Sequence, residues 1–147
     1  MGIYGKNPSL SRYRYYNIFS LLSASGASFA IILSPNIEKI ISKSVEMEVQ
    51  IVSKRHGISV NKVEQLLNNV KLNELKLSKS KITNQYSKYV LDEHDSHVIA
   101  GAIEVNAKFL ITYNLKHYNI DKIKADFGIV VLKPGNFLQY LRSKDKF

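Results

Sequence analysis

The 147-residue chain contains no cysteine. Disulfide bonds, thiol catalysis and thiolate metal sites are therefore excluded, and the sequence is compatible with a reducing compartment. No glycine-rich phosphate loop is present, which disfavours a small-molecule α/β enzyme. The most hydrophobic window, residues 18–33, is short and is interrupted by serines and a glycine, and no signal-peptide pattern follows Met1. We therefore expect a cytoplasmic protein with no membrane-spanning segment.

Acidic residues are few: 12 Asp and Glu stand against 21 Lys and Arg, which gives a formal net charge of +9. No aspartate precedes Asp92. A positive field of this size attracts the phosphate backbone of nucleic acids whatever their sequence, although a solvated lysine-rich surface explains the composition as well. Residues 71–88 are the most basic segment and are either the rim of a substrate groove or a solvated connection. The five lysines of this segment are Lys71, Lys76, Lys79, Lys81 and Lys88.

The length suits one domain over residues 1–147, and 45% hydrophobic with 22% charged residues is ordinary for a globular protein. Apolar periodicity predicts helices over residues 10–23, 44–56, 60–72 and 96–106 and at the carboxyl terminus. Short apolar runs predict strands at residues 40–42, 109–111 and 127–132, whereas residues 29–33 are either a strand or a helix end. This alternation predicts an α/β fold with a mostly parallel sheet.

Residues 92–118 carry the most informative pattern. Asp92, Glu93 and Asp95 open an apolar helix, and a fully apolar strand follows and ends in Thr112. In a parallel sheet, the loops that leave the strands lie beside the amino ends of helices, so these acids and Asn114 can converge at one edge. Carboxylates of this kind bind Mg²⁺ or Mn²⁺. Asp95 is alternatively a helix cap, Asp92 a loop carboxylate and Thr112 a β-branched residue that closes a strand.

The order of these motifs resembles the PIN-domain ribonucleases, and within them the toxin branch of type II toxin–antitoxin systems. The resembling residues are Asp92-x-x-Asp95-x-His97-Val98-Ile99-Ala100-x-Ala102, then Thr112-x-Asn114-Leu115-Lys116 and Tyr118. A strand, a proline and a Phe-Leu helix at the carboxyl end resemble the same family. The resemblance implies a three-layer α/β/α domain and a Mg²⁺- or Mn²⁺-dependent endoribonuclease that cleaves single-stranded RNA. It also implies an antitoxin protein and a homodimer partner.

The resemblance assigns roles to single residues. Asp95 matches the third acid of the family, Asn114 the fourth position and Thr112 a hydroxyl that orients a carboxylate or phosphate. Glu48 is the best match to the second acid, with Glu46 and Glu38 as fallbacks, although a glutamate there also stabilises the positive end of a helix dipole. These assignments make Glu48, Asp95 and Asp92 the expected metal ligands.

Two departures from the family pattern lead to an alternative function. His117 and Tyr118 stand where the branch usually has Asp and Phe, and we interpret His94, His97 and His117 as structural because their spacing is not that of a zinc site. The amino-terminal strand that ends in the family's first aspartate is expected to be missing. The alternative is therefore a catalytically incomplete PIN-like module that binds RNA or a protein partner.

Overall fold

The computed structural model describes residues 13–16, 27–35 and 37–144 of the chain. Its strands form one parallel sheet of five in the order β3-β2-β1-β4-β5. The strands are β1 Tyr13–Tyr16, β2 Ile37–Ser42, β3 Lys71–Asn73, β4 Phe109–Ile111 and β5 Val130–Leu132. A parallel α/β fold is therefore confirmed, as the alternation of helix and strand patterns predicts.

Helices connect these strands in the order expected for parallel crossovers. They are α1 Ala27–Leu33, α2 Lys43–Arg55, α3 Val60–Leu67, α4 Lys79–Tyr86, α5 Ser96–Glu104, α6 Ile120–Phe127 and α7 Pro134–Ser143. The hydroxyls of Ser42, Ser59 and Ser78 accept backbone N–H groups at the starts of α2, α3 and α4, which is the usual role of serine as a helix cap. In the described part of the chain, no helix is long and apolar enough to cross a membrane.

The core lies between the central strands and the apolar faces of the helices that cover them. All three residues of β4 are buried, as expected for a parallel strand that is covered on both faces. Helix α2 buries Val45 and Val49, and helix α5 contacts β1 and β2 and buries nearly all of its first seven residues. The fully buried large side chains are Phe137, Ile31, Ile32, Ile41, Ile99, Leu110, Ile111 and Ile123.

The structure corrects the prediction for the amino-terminal region. Residues 13–16 form the central strand β1 and pair with both β2 and β4, whereas the sequence pattern predicted a helix over residues 10–23. Tyrosine favours strands, and pairing on both sides of this Tyr-rich segment outweighs its helix-like apolar spacing. The expectation that the amino-terminal strand is missing is therefore wrong. Residues 10–12 and 17–23 of that predicted helix lie outside the described residues.

Smaller differences have local causes. Residues 29–33 belong to helix α1, and residues 71–88 contain β3 and α4, so that segment is not a structureless connection. Strand β5 is shorter than predicted because Phe127 ends α6 and Gly128 adopts a left-handed conformation with φ of 69°, where glycine is favoured. Helix α7 begins at Pro134, with Lys133 at the cap position.

Two buried polar groups are held by hydrogen bonds. Lys39 in β2 is 7% exposed, and its Nζ donates to the carbonyls of Ile32 and Ser34 at 2.7 Å each. These carbonyls lie at the end of α1, where a cation is favourable. The Tyr89 hydroxyl donates to Asp126 Oδ2 at 2.6 Å, and this bond is the main cause that raises the pKa of Tyr89 to about 12.

Candidate active site at the carboxyl edge of the sheet

The predicted site residues lie on segments that meet at the carboxyl edge of the parallel sheet. Strand β2 ends at Ser42, which caps α2, so Glu48 lies in the second turn of that helix. Strand β4 ends at Ile111, and Thr112 and Asn114 follow in the loop. Asp92 and Asp95 lie in the segment that enters α5. The fallback Glu38 lies near the start of β2 and pairs with Lys71 Nζ at 3.6 Å, so it is at the other end of the strand.

Glu48 is joined to the start of α5 by a histidine. His97 Nε2 lies 3.2 Å from Glu48 Oε1, and the side chains are 18% and 46% exposed. His97 therefore fixes the Glu48 carboxylate relative to the Asp95 segment. This contact links two helices that are distant in sequence, which is why sequence spacing could not reveal it.

Asp95 is a partly buried carboxylate that lies beside a second histidine. Its side chain is 31% exposed, and its Oδ2 lies 3.6 Å from His117 Nδ1. Although Asp95 precedes α5, its side chain accepts no capping hydrogen bond. Burial raises the pKa of Asp95, the charges of Asp92 and Glu48 raise it further, and His117 and His97 oppose the rise. The charges of Asp92 and Glu48 therefore act on Asp95 at this edge.

Asp92 forms the third carboxylate–histidine pair. Its Oδ1 accepts the backbone N–H of His94 at 3.0 Å and lies 2.9 Å from His94 Nδ1. The backbone hydrogen bond is the main cause that lowers the pKa of Asp92. Both side chains are exposed, at 63% for Asp92 and 76% for His94, so this pair lies at the solvent side of the site.

Thr112 and Asn114 shape the loop beyond β4. Thr112 is 2% exposed, its backbone N–H donates to Leu132 O at 3.0 Å, and its Oγ1 accepts the Asn114 N–H at 3.1 Å. The hydroxyl thus holds the turn that carries Asn114 and, three residues later, His117. Asn114 is exposed, and its side chain is available to a ligand that approaches this edge.

The donor types fit a hard divalent cation, because carboxylate oxygens are the ligands that Mg²⁺ and Mn²⁺ prefer. The positions of these acids, however, are not those of a formed metal site. Within residues 13–16, 27–35 and 37–144, no three acidic or histidine side chains lie close enough together to hold a metal ion. Each acid contacts a histidine instead. Sequence reasoning thus missed three site residues, His94, His97 and His117. Only the pairing of Asp92 with His94 could have been expected from their closeness in the sequence.

A cavity of about 440 Å³ opens beside Glu48, between α2, α4, the start of α5 and the segment that joins β3 to α4. It has apolar walls and polar groups near the acids. The side chains that line it are Ser44, Glu48, Leu75, Leu77, Lys79, Ile82, Thr83, Glu93, His94, Ser96 and His97. Ser96 Oγ and His97 Nδ1 are buried and have no hydrogen-bond partner in the described part of the chain.

The described residues form an α/β protein with a parallel sheet and acidic residues near its carboxyl edge, and comparison of structures supports a PIN-like fold. The chain is similar to a chain in the crystal structure of VapBC2 from Rickettsia felis bound to a DNA fragment from their promoter. VapBC2 is a PIN-domain toxin–antitoxin complex. The TM-score is 0.57 at 14% sequence identity, and the match covers 82% of this chain and 98% of that chain. No family model and no curated protein sequence matches this chain.

Proposed function

We propose that this protein is an endoribonuclease of the PIN toxin type that cleaves single-stranded RNA with the help of Mg²⁺ or Mn²⁺. The observation that carries the proposal is the position of Glu48, Asp92 and Asp95 on segments that meet at the carboxyl edge of a PIN-like sheet. Carboxylates that lie near one another repel unless a cation or a proton is between them. The similarity to VapBC2 supports a nuclease-type family, and the net charge of +9 suits a polyanionic substrate.

Glu48, Asp95 and Asp92 would hold the metal ion. Once bound, such an ion polarises a phosphoryl oxygen and lowers the pKa of the attacking water. His97 would orient Glu48, and His117 would offset part of the charge of Asp95. The Asn114 amide would contact RNA or a bound water. Lys76, Lys79 and Lys81, all exposed, would hold the RNA backbone beside the cavity.

The alternative is a catalytically incomplete PIN-like module that binds RNA or a protein partner. It is favoured by the absence of a three-ligand group in the described ranges and by the residue that follows β1. The family places its first aspartate at the end of the first strand, whereas Asn17 follows Tyr16 here. The structure of Asn17 itself lies outside the described residues.

The wider setting also follows the resemblance and the structural neighbour. VapBC2 is a toxin–antitoxin complex, and we propose that this chain likewise binds an antitoxin and forms a homodimer in the cytoplasm. Right-handed crossovers between parallel strands would place α1, α2 and α3 on one face of the sheet and α4, α5 and α6 on the other, and α7 would join the first face because it contacts α1. That placement is the three-layer α/β/α arrangement.

The test is cleavage of end-labelled single-stranded RNA by the purified chain in Mg²⁺, in Mn²⁺ and in EDTA. We expect cleavage in a divalent metal, loss in EDTA, and loss in the Glu48→Gln and Asp95→Asn variants. Glu64→Gln is the matched control, because Glu64 is an exposed acid on α3. Equal cleavage in EDTA, or an active Asp95→Asn variant, would refute the metal mechanism. Salt-sensitive RNA binding without cleavage would favour the binding module.

A further inference from the structure

The cavity beside Glu48 has the composition of a pocket for one flat, partly polar group. Its volume of about 440 Å³ lies in the range of roughly 300–1,000 Å³ that is common for small-ligand pockets. Leu75 and Leu77 are half-buried, and Ile82 is 4% exposed, so together they form an apolar wall. Thr83 and Ser44 place hydroxyl groups at the lining. A nucleobase needs this combination, because its faces are apolar and its edges carry hydrogen-bonding groups.

We propose that this cavity binds one base of single-stranded RNA next to the phosphate that faces the acidic edge. The proposal rests on the proposed function, since it assigns a position to part of the same RNA substrate. Glu48 and His97 belong both to the cavity lining and to the candidate active site. A base that enters the cavity would therefore bring its own backbone close to Glu48.

The charges of the lining favour a base over a phosphate inside the cavity. Glu48 and Glu93 both line it, and their carboxylates would repel a phosphate group that entered. Lys79 is the one cationic lysine or arginine among the lining residues and is exposed, so it is placed to contact the backbone outside. The His94 ring is 76% exposed at the same cavity and offers a flat surface on which a base can stack.

The buried polar atoms give a second, independent reason. Ser96 is 1% exposed, and its Oγ has no partner in the described ranges. Buried hydroxyl groups are normally paired, and one without a partner marks a place where a ligand or water completes the hydrogen bonding. Ser96 is among the residues that line the cavity, so the wall includes a residue whose hydrogen bonding is incomplete in the described ranges.

Binding is measured by fluorescence anisotropy with labelled RNA heptamers of adenylate, cytidylate and uridylate in EDTA, so that metal-dependent cleavage does not interfere. A matching set carries one abasic ribose at each position in turn. We expect removal of the base at one position to weaken binding about tenfold, whereas removal at the end positions changes little, because stacking of a single base is worth that much. The three homopolymers should also differ in affinity.

Variants connect the effect with the cavity. Thr83→Val keeps the side-chain shape and removes the hydroxyl, and Leu77→Ala opens the apolar wall; both should reduce the penalty of the critical abasic position to less than about threefold. Asn84→Ala is the matched control, since Asn84 is the next residue on α4, is exposed and is outside the lining. If Leu77→Ala fails to fold, Thr83→Val and the abasic series still decide.

The outcomes separate this proposal from the proposed function. Equal affinity for intact and abasic heptamers would overturn the base pocket, even if the protein cleaves RNA in Mg²⁺ or Mn²⁺, and would leave a side chain of a protein partner as the better occupant. A position-specific abasic effect that Thr83→Val removes would support the pocket, even if no metal restores cleavage. If Asn84→Ala reduces the abasic effect as much as Thr83→Val does, the base pocket is also overturned.

Discussion

Replacing Asp95 with asparagine should raise the free energy of unfolding at neutral pH while it removes RNA cleavage. The Asp95 carboxylate caps no backbone N–H of α5, so the substitution loses no capping bond. Burial and the charges of Asp92 and Glu48 raise its pKa in the folded protein, against the opposing charges of His117 and His97. The ionised carboxylate is therefore disfavoured in the folded protein. A neutral amide of nearly the same shape carries no such penalty.

The gain comes from burial of the carboxylate, which is the largest cause of its raised pKa. The Asp95 side chain is 31% exposed, so solvent screens its charge, and we expect a gain of less than about 1 kcal/mol. Loss of the contact with His117 reduces this gain. For a domain of this length, 1 kcal/mol corresponds to about 2–4 °C in Tm, so we expect a rise of about 1–3 °C.

The pH dependence gives the sharper test. The pKa of Asp95 is higher in the folded protein than the ordinary value of 3.8, so the folded form holds the proton more tightly. Wild-type protein then loses stability as the pH rises through these two pKa values, whereas the asparagine variant does not. The advantage of the variant should be absent in acid below pH 3.8 and complete at neutral pH.

Urea unfolding across this pH range measures the difference, and Asp95→Ala separates the charge explanation from a capping role. A true N-cap loses about 0.5–2 kcal/mol on replacement with alanine, whereas the structure predicts no such loss. A variant that is destabilised at neutral pH, or a difference that stays constant with pH, would refute the reasoning.

Three further predictions concern groups that support the site. Lys39→Met should destabilise the protein by about 2–4 kcal/mol in urea unfolding, because two backbone carbonyls lose a buried donor. The exposed control Lys43→Met should change the free energy of unfolding by less than about 0.5 kcal/mol. Equal effects of the two substitutions would refute this role of Lys39. Thr112→Val should cost about 1 kcal/mol, because the Asn114 N–H loses its acceptor, and should reduce RNA cleavage; unchanged cleavage and stability would show that the turn does not depend on the hydroxyl. Tyr89→Phe should remove an alkaline transition in stability. The raised pKa of Tyr89 stabilises wild-type protein below pH 10, and this contribution is lost as the pH rises through about 12. The stability difference between the two proteins should therefore shrink over that range. A difference that is constant from neutral to alkaline pH would contradict the assignment.

The carboxyl half of the fold could be predicted because its patterns are local. Strand β4 is a run of apolar residues, α5 begins after an acidic cluster, and both lie where the sequence places them. Parallel packing then brings Thr112 and the acids of the α5 segment to one edge. Helix α2 was also predicted within one residue at each end, because Val45 and Val49 have helical spacing and Gly57 follows its end.

The central strand could not be predicted for a physical reason. Tyr13–Tyr16 is only four residues long, so its brief Tyr-Arg-Tyr alternation does not outweigh the helical spacing around it, and its place in the sheet depends on pairing with β2 and β4. Pairing between segments that are distant in sequence is a tertiary effect that outweighs local propensity. The contacts of Glu48 with His97 and of Asp95 with His117 are long-range in the same way, so the histidines looked like isolated structural residues.

The three histidines change how the acidic edge must work. Carboxylates that converge at a sheet edge repel one another unless a cation or a proton lies between them. At this edge, each of Glu48, Asp92 and Asp95 already has a histidine nitrogen within 3.6 Å. The edge therefore offers each carboxylate a hydrogen-bonding neighbour that three isolated acids would lack. Each contact uses one carboxylate oxygen, so a divalent ion that bound here would have the other oxygen of each acid available as a ligand.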